Sequence, residues 1–209
     1  MFYVHQSRVV PEESGILMED PFTENSLAQN WEITGGTWKT DHGVLTGFNR
    51  ENGGALIYSR RQFPGDVMLD FYGTMVPPCR NDLNFSWRSK GWDTERNDAA
   101  EGYIAGVGGW WTGRTGIERY PTCDLFALSS SLVPESGREY HIQAGTIGHM
   151  CFVAVDGTVV LELRDPDPIS DPDSNRVGLG TYCSRIRFRK FQVKKPKWEK
   201  ADLSYTPEF

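Results

Sequence analysis

Aromatic and polar side chains are interleaved within one interval in the middle of the chain. The aromatic members are Trp87, Trp92, Tyr103, Trp110, Trp111 and Tyr120. The polar members are Asn84, Arg88, Glu101, Arg114, Glu118 and Arg119. A sugar ring presents an apolar face of C–H groups and a rim of hydroxyls, so a sugar site combines an aromatic platform with fixed hydrogen-bonding groups. The interval therefore indicates a carbohydrate-binding surface.

Trp110 and Trp111 are the members best suited to form such a platform. They are adjacent and stand between glycines, in GVGGWWTGRTG. Neighbouring residues of a strand point to opposite sides, so both rings cannot enter one core, and at least one is expected to face a loop or a cleft. A terminal segment or a second subunit would also bury an exposed ring, so a scaffold whose aromatic surface is an oligomer interface is an alternative.

Two carboxylates are candidates for a catalytic base. Glu101 opens EGYIAGVGG and is expected to share a strand face with Tyr103, a face that lacks large aliphatic residues. The alternative for Glu101 is a solvated carboxylate at a strand end. Asp70 is a comparable candidate, because it alternates with apolar residues and is expected on the polar face of its strand. Tyr72 shares that face and is a candidate for contact with a substrate.

His141 is a third candidate base. It alternates with Gln143 on the polar face of a strand whose other face is apolar, and an imidazole exchanges protons near neutral pH. The competing interpretation is a surface histidine that only forms hydrogen bonds.

A base that removes a proton beside a carbonyl group also requires a cation or a metal, which stabilises the enolate that forms. Arg88 and Arg114 are the candidate cations.

The segments that carry these residues have the period of β-strands. Helical periodicity is almost absent, and short alternating runs recur between Gly, Pro, Asn and Asp, a pattern typical of a sandwich. In Val67–Val76 most odd positions are apolar and several even positions are polar. Leu83–Arg88 repeats the alternation, with Trp87 expected in the core and Asn84 on the opposite surface. Both segments are predicted to lie in one sheet with Glu101–Gly108.

A hairpin is predicted near the end of the chain. Cys151–Val155 and Thr158–Leu163 flank Asp156-Gly157, the residue types that supply the positive φ angles of a two-residue turn. Further strands are predicted at Trp31–Thr40, Val44–Phe48, Ala55–Arg61, Arg138–Ala144, Arg176–Thr181 and Arg185–Val193. The predicted fold is therefore all-β, a jelly-roll β-sandwich of two antiparallel sheets.

Length, composition and charge favour one globular domain. The 209 residues are 38% hydrophobic and 24% charged, which is ordinary for such a domain. Residues 1–195 are predicted to form the domain with an N-terminal lead-in, and residues 196–209 an extended strap. The net charge of −6 argues against nucleic acid as a partner. No run is long and apolar enough for a membrane span, and the first residues lack a secretory pattern, so a cytoplasmic location is expected.

Metal and cofactor motifs are sparse. Four aspartates resemble a calcium loop in composition, but their spacing fails the EF-hand pattern and the intervening prolines favour a rigid, solvated loop; they are Asp165, Asp167, Asp171 and Asp173. A divalent metal is left open and no cofactor is identified. No CxxC pair, Walker loop or dinucleotide fingerprint is present.

Parts of the sequence resemble the 3-keto-disaccharide hydrolase domain family. NWEITGGTWKTDHGVLTG at Asn30–Gly47 resembles its opening strands, and EYHIQAGTIGHMCFVAVDGTVVLEL with RVGLGTYCSRIRFRKFQVKK resembles its closing hairpin and last strands. The stretch ERYPTCDLFALSSSLV is similar to sandwich proteins found near pectin and rhamnogalacturonan utilisation functions. The resemblance implies a concanavalin A-like jelly roll and puts Glu101 on the family's central strand. Gly180–Cys183 lacks the histidine that the family tends to have there.

These observations predict a carbohydrate-active enzyme that cleaves a glycoside or an oxidised 3-keto sugar, by proton abstraction followed by elimination or hydrolysis. A non-catalytic, lectin-like protein is the alternative, since the same sandwich and aromatic surface would serve it. The residues expected to act in catalysis are Glu101, His141, Asp70 and Arg88. The residues expected to bind substrate are Trp110, Trp111, Tyr103, Asn84, Tyr72 and Arg114.

Overall fold

The computed structural model describes residues 1–50, 54–110 and 113–201. These ranges contain a 3-10 turn at Pro11–Glu13, one helix, α1 (Glu24–Asn30), and twenty strands. In chain order the strands are β1 (Phe2–Val4), β2 (Ser7–Val9), β3 (Gly15–Asp20), β4 (Trp31–Ile33), β5 (Thr37–Asp41), β6 (Val44–Phe48), β7 (Gly54–Ser59), β8 (Val67–Met75), β9 (Leu83–Ser89), β10 (Trp92–Asp93), β11 (Asp98–Ala99), β12 (Gly102–Trp110), β13 (Arg114–Tyr120), β14 (Phe126–Ser129), β15 (Glu139–Ile147), β16 (Met150–Val155), β17 (Thr158–Arg164), β18 (Arg176–Tyr182), β19 (Arg185–Lys195) and β20 (Trp198–Lys200).

Two large antiparallel sheets dominate the described structure. The seven-stranded sheet has the order β14-β13-β12-β9-β18-β7-β4. The eight-stranded sheet has the order β17-β16-β15-β8-β19-β6-β5, with β3 also paired to β19. The all-β sandwich predicted from the alternating pattern is therefore confirmed.

The core lies between the two sheets and is built by alternate residues of each strand. Leu83, Phe85 and Trp87 of β9 are completely buried in it. Phe71 of β8 meets Phe85 with 5.5 Å between ring centroids, which links the sheets directly. Burying one such ring contributes about 1.5–3 kcal/mol to folding. The predicted core position of Trp87 is confirmed.

One prediction about sheet membership is wrong. β8 lies in the eight-stranded sheet between β15 and β19, whereas β9 and β12 are neighbours in the seven-stranded sheet. The predicted strand at Trp31–Thr40 is also two strands, β4 and β5, which belong to different sheets. Alternation identifies the apolar face of a strand but not its partner, and β8 and β9 meet the same core from opposite sides.

Two local predictions concern turns and termini. Asp156 and Gly157 have φ angles of 50° and 81° between β16 and β17, which confirms the predicted hairpin.

At the termini, β1, β2 and β20 form a three-stranded sheet. Phe2 and Val4 of this sheet pack with Met68 and other side chains on the outer face of the eight-stranded sheet. Residues 202–209 of the predicted strap lie outside the described ranges.

Helix α1 was not indicated by the sequence pattern. Thr23 and Ser26 form a reciprocal capping box at its start. The buried Asp20 accepts hydrogen bonds from Ser26 Oγ at 2.7 Å and from Trp31 Nε1 at 2.8 Å, which fixes the helix between β3 and β4. Within the described ranges, helices are too short or too polar to span a membrane.

Candidate active site

A cleft of about 750 Å³ lies over the outer face of the seven-stranded sheet. Its lining comes from β7, β9, β12, β13 and β18, together with the turn at Thr34–Gly36 and the small β10-β11 hairpin. The lining positions on these strands alternate with core residues, as expected for a sheet with one face packed and one face open. The cleft has the size and concave form of a ligand site.

Glycines give the cleft its depth. Gly106 of β12 is paired with Gly116 of β13 on one side and with Asn84 of β9 on the other. Asn84 is in turn paired with Gly180 of β18. Four neighbouring strands therefore contribute three glycines and one short polar side chain at the same level, and a trough remains where larger residues would fill the space.

The Trp110 ring rests on two of these glycines. A Cβ atom at Gly106 would lie 2.3 Å from the indole, and one at Gly116 would lie 2.5 Å from it. Both distances are shorter than any real contact, so the ring occupies this place only because both residues are glycine. Other aromatic side chains that line the cleft are Trp92, Tyr120 and Tyr182. Together they form the aromatic surface that a sugar ring requires.

Asp82 is the most buried acidic group of the cleft, with 4% of its surface exposed. Its Oδ2 accepts a hydrogen bond of 2.6 Å from Asn84 Nδ2. Its Oδ1 is buried without a partner in the described structure, as is Asn84 Oδ1. A Cβ atom at Gly109 would lie 1.9 Å from Asp82 Oδ1, so this glycine makes room for the carboxyl group. Asp82 is therefore held against the sheet beside the Trp110 ring.

The protonation of Asp82 follows from its surroundings. Burial raises the pKa of Asp82 to about 8, with a smaller increase from the negative charge of Glu118, and the hydrogen bond from Asn84 opposes the change only in part. At neutral pH Asp82 is therefore a carboxylic acid that retains its proton. Its Oδ1, which is buried without a partner in the described structure, is then the oxygen available to carry the proton.

Glu118 supplies a second carboxyl group to the same cleft. It lies on β13, two positions after Gly116, and its side chain is half-buried. Asp98, on the β10-β11 hairpin, is the third acidic residue of the lining. Burial raises the pKa of Tyr120, and the charges of Asp98 and Glu118 add to the increase, so these groups lie near one another. The cleft thus combines a neutral carboxylic acid with two carboxylates.

Some of the predicted substrate-binding residues line the cleft and others do not. Trp110 and Asn84 both line the cleft, on adjacent strands. Trp111 lies outside the described residues. Arg114 is exposed at the start of β13, opposite Trp110 in the strand register, and is not part of the lining.

Tyr103 corrects an expectation of the sequence analysis. It is completely buried, it packs on Trp87 with 5.7 Å between ring centroids, and its hydroxyl donates a hydrogen bond of 2.6 Å to Asp165 Oδ2. Its strand face, continued by Ala105 and Val107, is the core face of β12. Small residues suggested an open surface, but they fit here against large aromatic neighbours. Tyr103 is therefore a core residue and cannot contact a substrate.

Glu101 is also separate from the cleft. It precedes β12 and accepts a hydrogen bond of 2.6 Å from Ser174 Oγ. Lys90 Nζ lies 3.9 Å from the same carboxylate oxygen. Because Glu101 is not part of the cleft lining, its surroundings agree with the alternative of a strand-end carboxylate.

Asp70, Tyr72 and His141 come together on the outer face of the eight-stranded sheet. Asp70 Oδ1 lies 2.6 Å from His141 Nε2, and Asp70 Oδ2 accepts hydrogen bonds from Lys194 Nζ at 2.7 Å and Gln143 Nε2 at 3.0 Å. Tyr72 stacks on His141 at 4.6 Å. Burial acts to raise the pKa of Asp70, but the hydrogen bonds outweigh it and lower the pKa to about 2. Such a carboxylate is a weak base, and it lies on the opposite sheet from the cleft.

The guanidinium group of Arg88 already has protein partners. One of its guanidinium nitrogens donates a hydrogen bond of 2.5 Å to the carbonyl of Ile169, and another lies 3.9 Å from Asp66. Arg88 does not line the cleft. The catalytic set predicted from the sequence is thus divided among three places, and the cleft contains none of its members.

The sequence pattern does not assign a role to either carboxyl group of the cleft. Glu118 lies within the interleaved interval, and Asp82 lies just before it. A usable signal was present, because glycines alternate with core residues in GYIAGVGGW, RTGIERY and RVGLGTY. Glycine on the polar face of several strands indicates a trough, and the acidic residues beside it are the candidates.

A metal site is not supported in the part of the chain that the structure describes, which contains no group of three or more His, Cys, Asp or Glu residues suited to hold an ion. In the aspartate-rich loop, Asp165 accepts hydrogen bonds from Tyr103 and Arg119. Asp171 forms an ion pair of 2.6 Å with Lys90. These carboxylates therefore have protein partners.

Comparison with known proteins shows the fold. No family model matches the sequence, and no curated protein matches it, so the resemblance to the 3-keto-disaccharide hydrolase domain family rests on the sequence motifs. Among solved structures, the carbohydrate-binding module CBM66 from Bacillus subtilis is 17% identical, with a TM-score of 0.61 over 79% of this chain and 96% of that chain.

Two further structures cover more of the chain. A Bacillus subtilis protein of unknown function with a galectin-like fold is 12% identical, with a TM-score of 0.68 over 90% of this chain and 99% of that chain. The Crh5 transglycosylase is 13% identical, with a TM-score of 0.57 over 90% of this chain and 88% of that chain. The chain therefore has an all-β sandwich fold, which it shares with both a binding module and an enzyme.

Proposed function

We propose that the protein hydrolyses a glycosidic bond in the cleft over the seven-stranded sheet. The observation that carries this proposal is the combination of Asp82, a buried acid with a pKa of about 8, and Glu118, a carboxylate on the same sheet face. Glycoside hydrolysis uses two carboxyl groups in this way, one protonated and one ionised. The Trp110 ring beside them supplies a platform for the sugar.

Each residue has a distinct role in this reaction. Asp82 donates its proton to the glycosidic oxygen as the bond from that oxygen to the anomeric carbon breaks. Glu118 stabilises the positive charge that develops on the sugar. Asn84 donates a hydrogen bond to Asp82 Oδ2, which leaves Oδ1 as the oxygen that holds the proton. Water supplies the hydroxyl group of the new reducing end, and its remaining proton returns to the ionised Asp82, which restores the acid.

This reaction fits the cleft better than proton abstraction beside a ketone. Abstraction would form an enolate, whose negative charge needs a cation or a metal. Arg88, Arg114 and His141 do not belong to the cleft lining. Asp70, with its lowered pKa, is held as a carboxylate by three donors. Acid-assisted hydrolysis needs none of these groups.

A carbohydrate-binding protein without turnover is the second candidate. The Trp110 platform favours it, because an aromatic ring on a sheet face is sufficient to hold a sugar. The likeness to a carbohydrate-binding module supports it at the level of the fold. Binding alone, however, gives no reason for a buried acid next to a carboxylate, since an unpartnered buried carboxyl group destabilises the folded state.

Turnover of a glycan panel in ¹⁸O-labelled water separates these reactions. Hydrolysis is expected to release shorter products that carry one ¹⁸O atom at the new reducing end. Mass spectrometry detects these products. A parallel incubation in deuterated water should leave the C2 position of the sugar without deuterium. Deuterium at C2 would favour proton abstraction instead, and binding without any product would favour the lectin-like protein.

Trp110→Ala is expected to weaken glycan binding by about 1–3 kcal/mol, or roughly 5- to 150-fold. The ring lies on the surface of a packed sheet, so its removal should change the melting temperature little. Calorimetry and thermal unfolding measure the two effects. Tyr3→Ala is the matched control, because Tyr3 is 44% exposed on β1 and distant from the lining. A large loss of stability with unchanged affinity would contradict a platform role.

A further inference from the structure

We infer that the cleft accepts uncharged and amino-bearing sugars and excludes acidic ones. This inference rests on the proposed function, because it names the substrate class of the same site. It uses a separate observation, which is the distribution of charge around the cleft.

The cleft contains no cationic side chain. Every lysine, arginine and histidine of the sequence lies within the described ranges, and none of them lines the cleft. A sugar carboxylate or sulfate that enters a protein site is normally paired with Arg or Lys, because an unpaired buried charge loses its hydration without compensation. An acidic sugar would find no such partner here.

Negative groups add repulsion to this lack of pairing. Glu118 is half-buried in the cleft, and Asp98 is exposed at its rim. The carbonyl oxygen of Asn84, Oδ1, is buried beside the protonated Asp82 without a protein partner in the described structure. Glu118 and Asp98 can accept hydrogen bonds from sugar hydroxyls or from an ammonium group, whereas a carboxylate on the sugar would be repelled.

Two arginines close to the lining along the chain or across the sheet already have protein partners. Arg96 of the β10-β11 hairpin forms an ion pair of 2.7 Å with Asp93 and donates to the carbonyl of Ala99. Arg176 donates to Glu32 at 2.6 Å and to the carbonyl of Ser59 at 2.6 Å. Arg114, which is exposed opposite Trp110, and Arg50, which is exposed next to the lining residue Asn49, can be tested by substitution.

The charge of the cleft therefore suits uncharged glycans, or sugars that carry an amine.

An array of immobilised oligosaccharides of equal length tests the inference with the intact protein. It should contain neutral chains of galactose, glucose, mannose, xylose, arabinose and N-acetylated sugars, acidic chains such as trigalacturonate, and the glucosamine trimer. At low salt, the best neutral or amino-bearing glycan is expected to be retained at least about tenfold more tightly than its carboxylate counterpart, which corresponds to about 1.4 kcal/mol. High salt should reduce this ratio.

Three variants identify the source of the selectivity. Asp98→Asn should raise retention of the carboxylate chain several-fold relative to the neutral chain, because it removes one repulsive charge. Asp173→Asn, an exposed aspartate outside the lining, should leave the ratio unchanged. Arg114→Ala should also leave it unchanged. A ratio that changes with Arg114 but not with Asp98 would overturn the inference.

The two proposals fail in different ways. Retention or cleavage of acidic chains as strong as that of neutral ones would overturn the charge selectivity and leave glycoside hydrolysis standing. Selective retention of neutral chains without any cleavage would support the selectivity and remove the hydrolase. Retention of no neutral or amino-bearing member of the array would overturn the selectivity.

Discussion

Asp82→Asn is expected to reduce turnover by about 10²–10⁴-fold and to make the folded protein more stable at neutral pH. The loss of turnover follows because an amide cannot donate the proton that the departing oxygen needs. Binding should change little, since Asn is close to Asp in size and can still accept the hydrogen bond from Asn84. Steady-state kinetics and calorimetry with the best glycan of the panel separate the two effects.

The gain in stability follows from the raised pKa of Asp82. In the unfolded chain this carboxyl group loses its proton above its ordinary value of 3.8, whereas in the folded protein it keeps the proton up to about 8. The folded state binds more protons between these values, so the free energy of unfolding falls as the pH rises through this window. Each pH unit corresponds to about 1.4 kcal/mol, so the loss by pH 7 is at most about 4 kcal/mol.

Urea unfolding at several pH values measures this effect. The difference in stability between Asp82→Asn and the unmodified protein should be small near pH 4, increase towards pH 8, and remain constant above it. Asp173→Asn serves as the control, because an exposed carboxyl group should show no such increase. A difference that does not depend on pH would mean that Asp82 is ionised in the folded protein, and normal turnover would exclude it as the acid.

Glu118→Gln is expected to reduce turnover by about 10²–10⁴-fold and to shift the pH dependence that remains. The amide no longer stabilises positive charge on the sugar, so the transition state loses more than the bound substrate does. The negative charge of Glu118 also raises the pKa of Asp82. Without it, Asp82 should lose its proton at a lower pH, and the alkaline decline of residual activity should begin earlier.

The shift can be measured with or without turnover. The carboxyl carbon of Asp82 can be titrated by NMR in ¹³C-labelled protein. The residual activity can be followed with an aryl glycoside whose leaving group departs with little need for protonation. Glu13→Gln is the control, because Glu13 is exposed near the N-terminus, outside the cleft. Full activity of Glu118→Gln would remove Glu118 from the mechanism, and an unchanged titration of Asp82 would show that the two groups do not interact.

The sequence by itself was sufficient for the properties that depend on near neighbours along the chain. Alternation in Leu83–Arg88 placed Trp87 in the core, and Asp156-Gly157 placed the hairpin turn, as the structure confirms. These features follow from the two-residue period of a strand and from the backbone preferences of single residues. Repeated over many short segments, they were enough to predict a sandwich.

The pairing of strands, and with it the candidate site, was decided only by the tertiary structure. Asp82 and Glu118 share a cleft because β9, β12 and β13 are neighbours in one sheet. Asp70 and His141 meet on the other sheet because β8 pairs with β15. Alternation shows which side of a strand is polar, but it does not show which polar sides are adjacent. The raised pKa of Asp82 and the burial of Tyr103 arise from those long-range contacts, which a pattern within one segment does not contain.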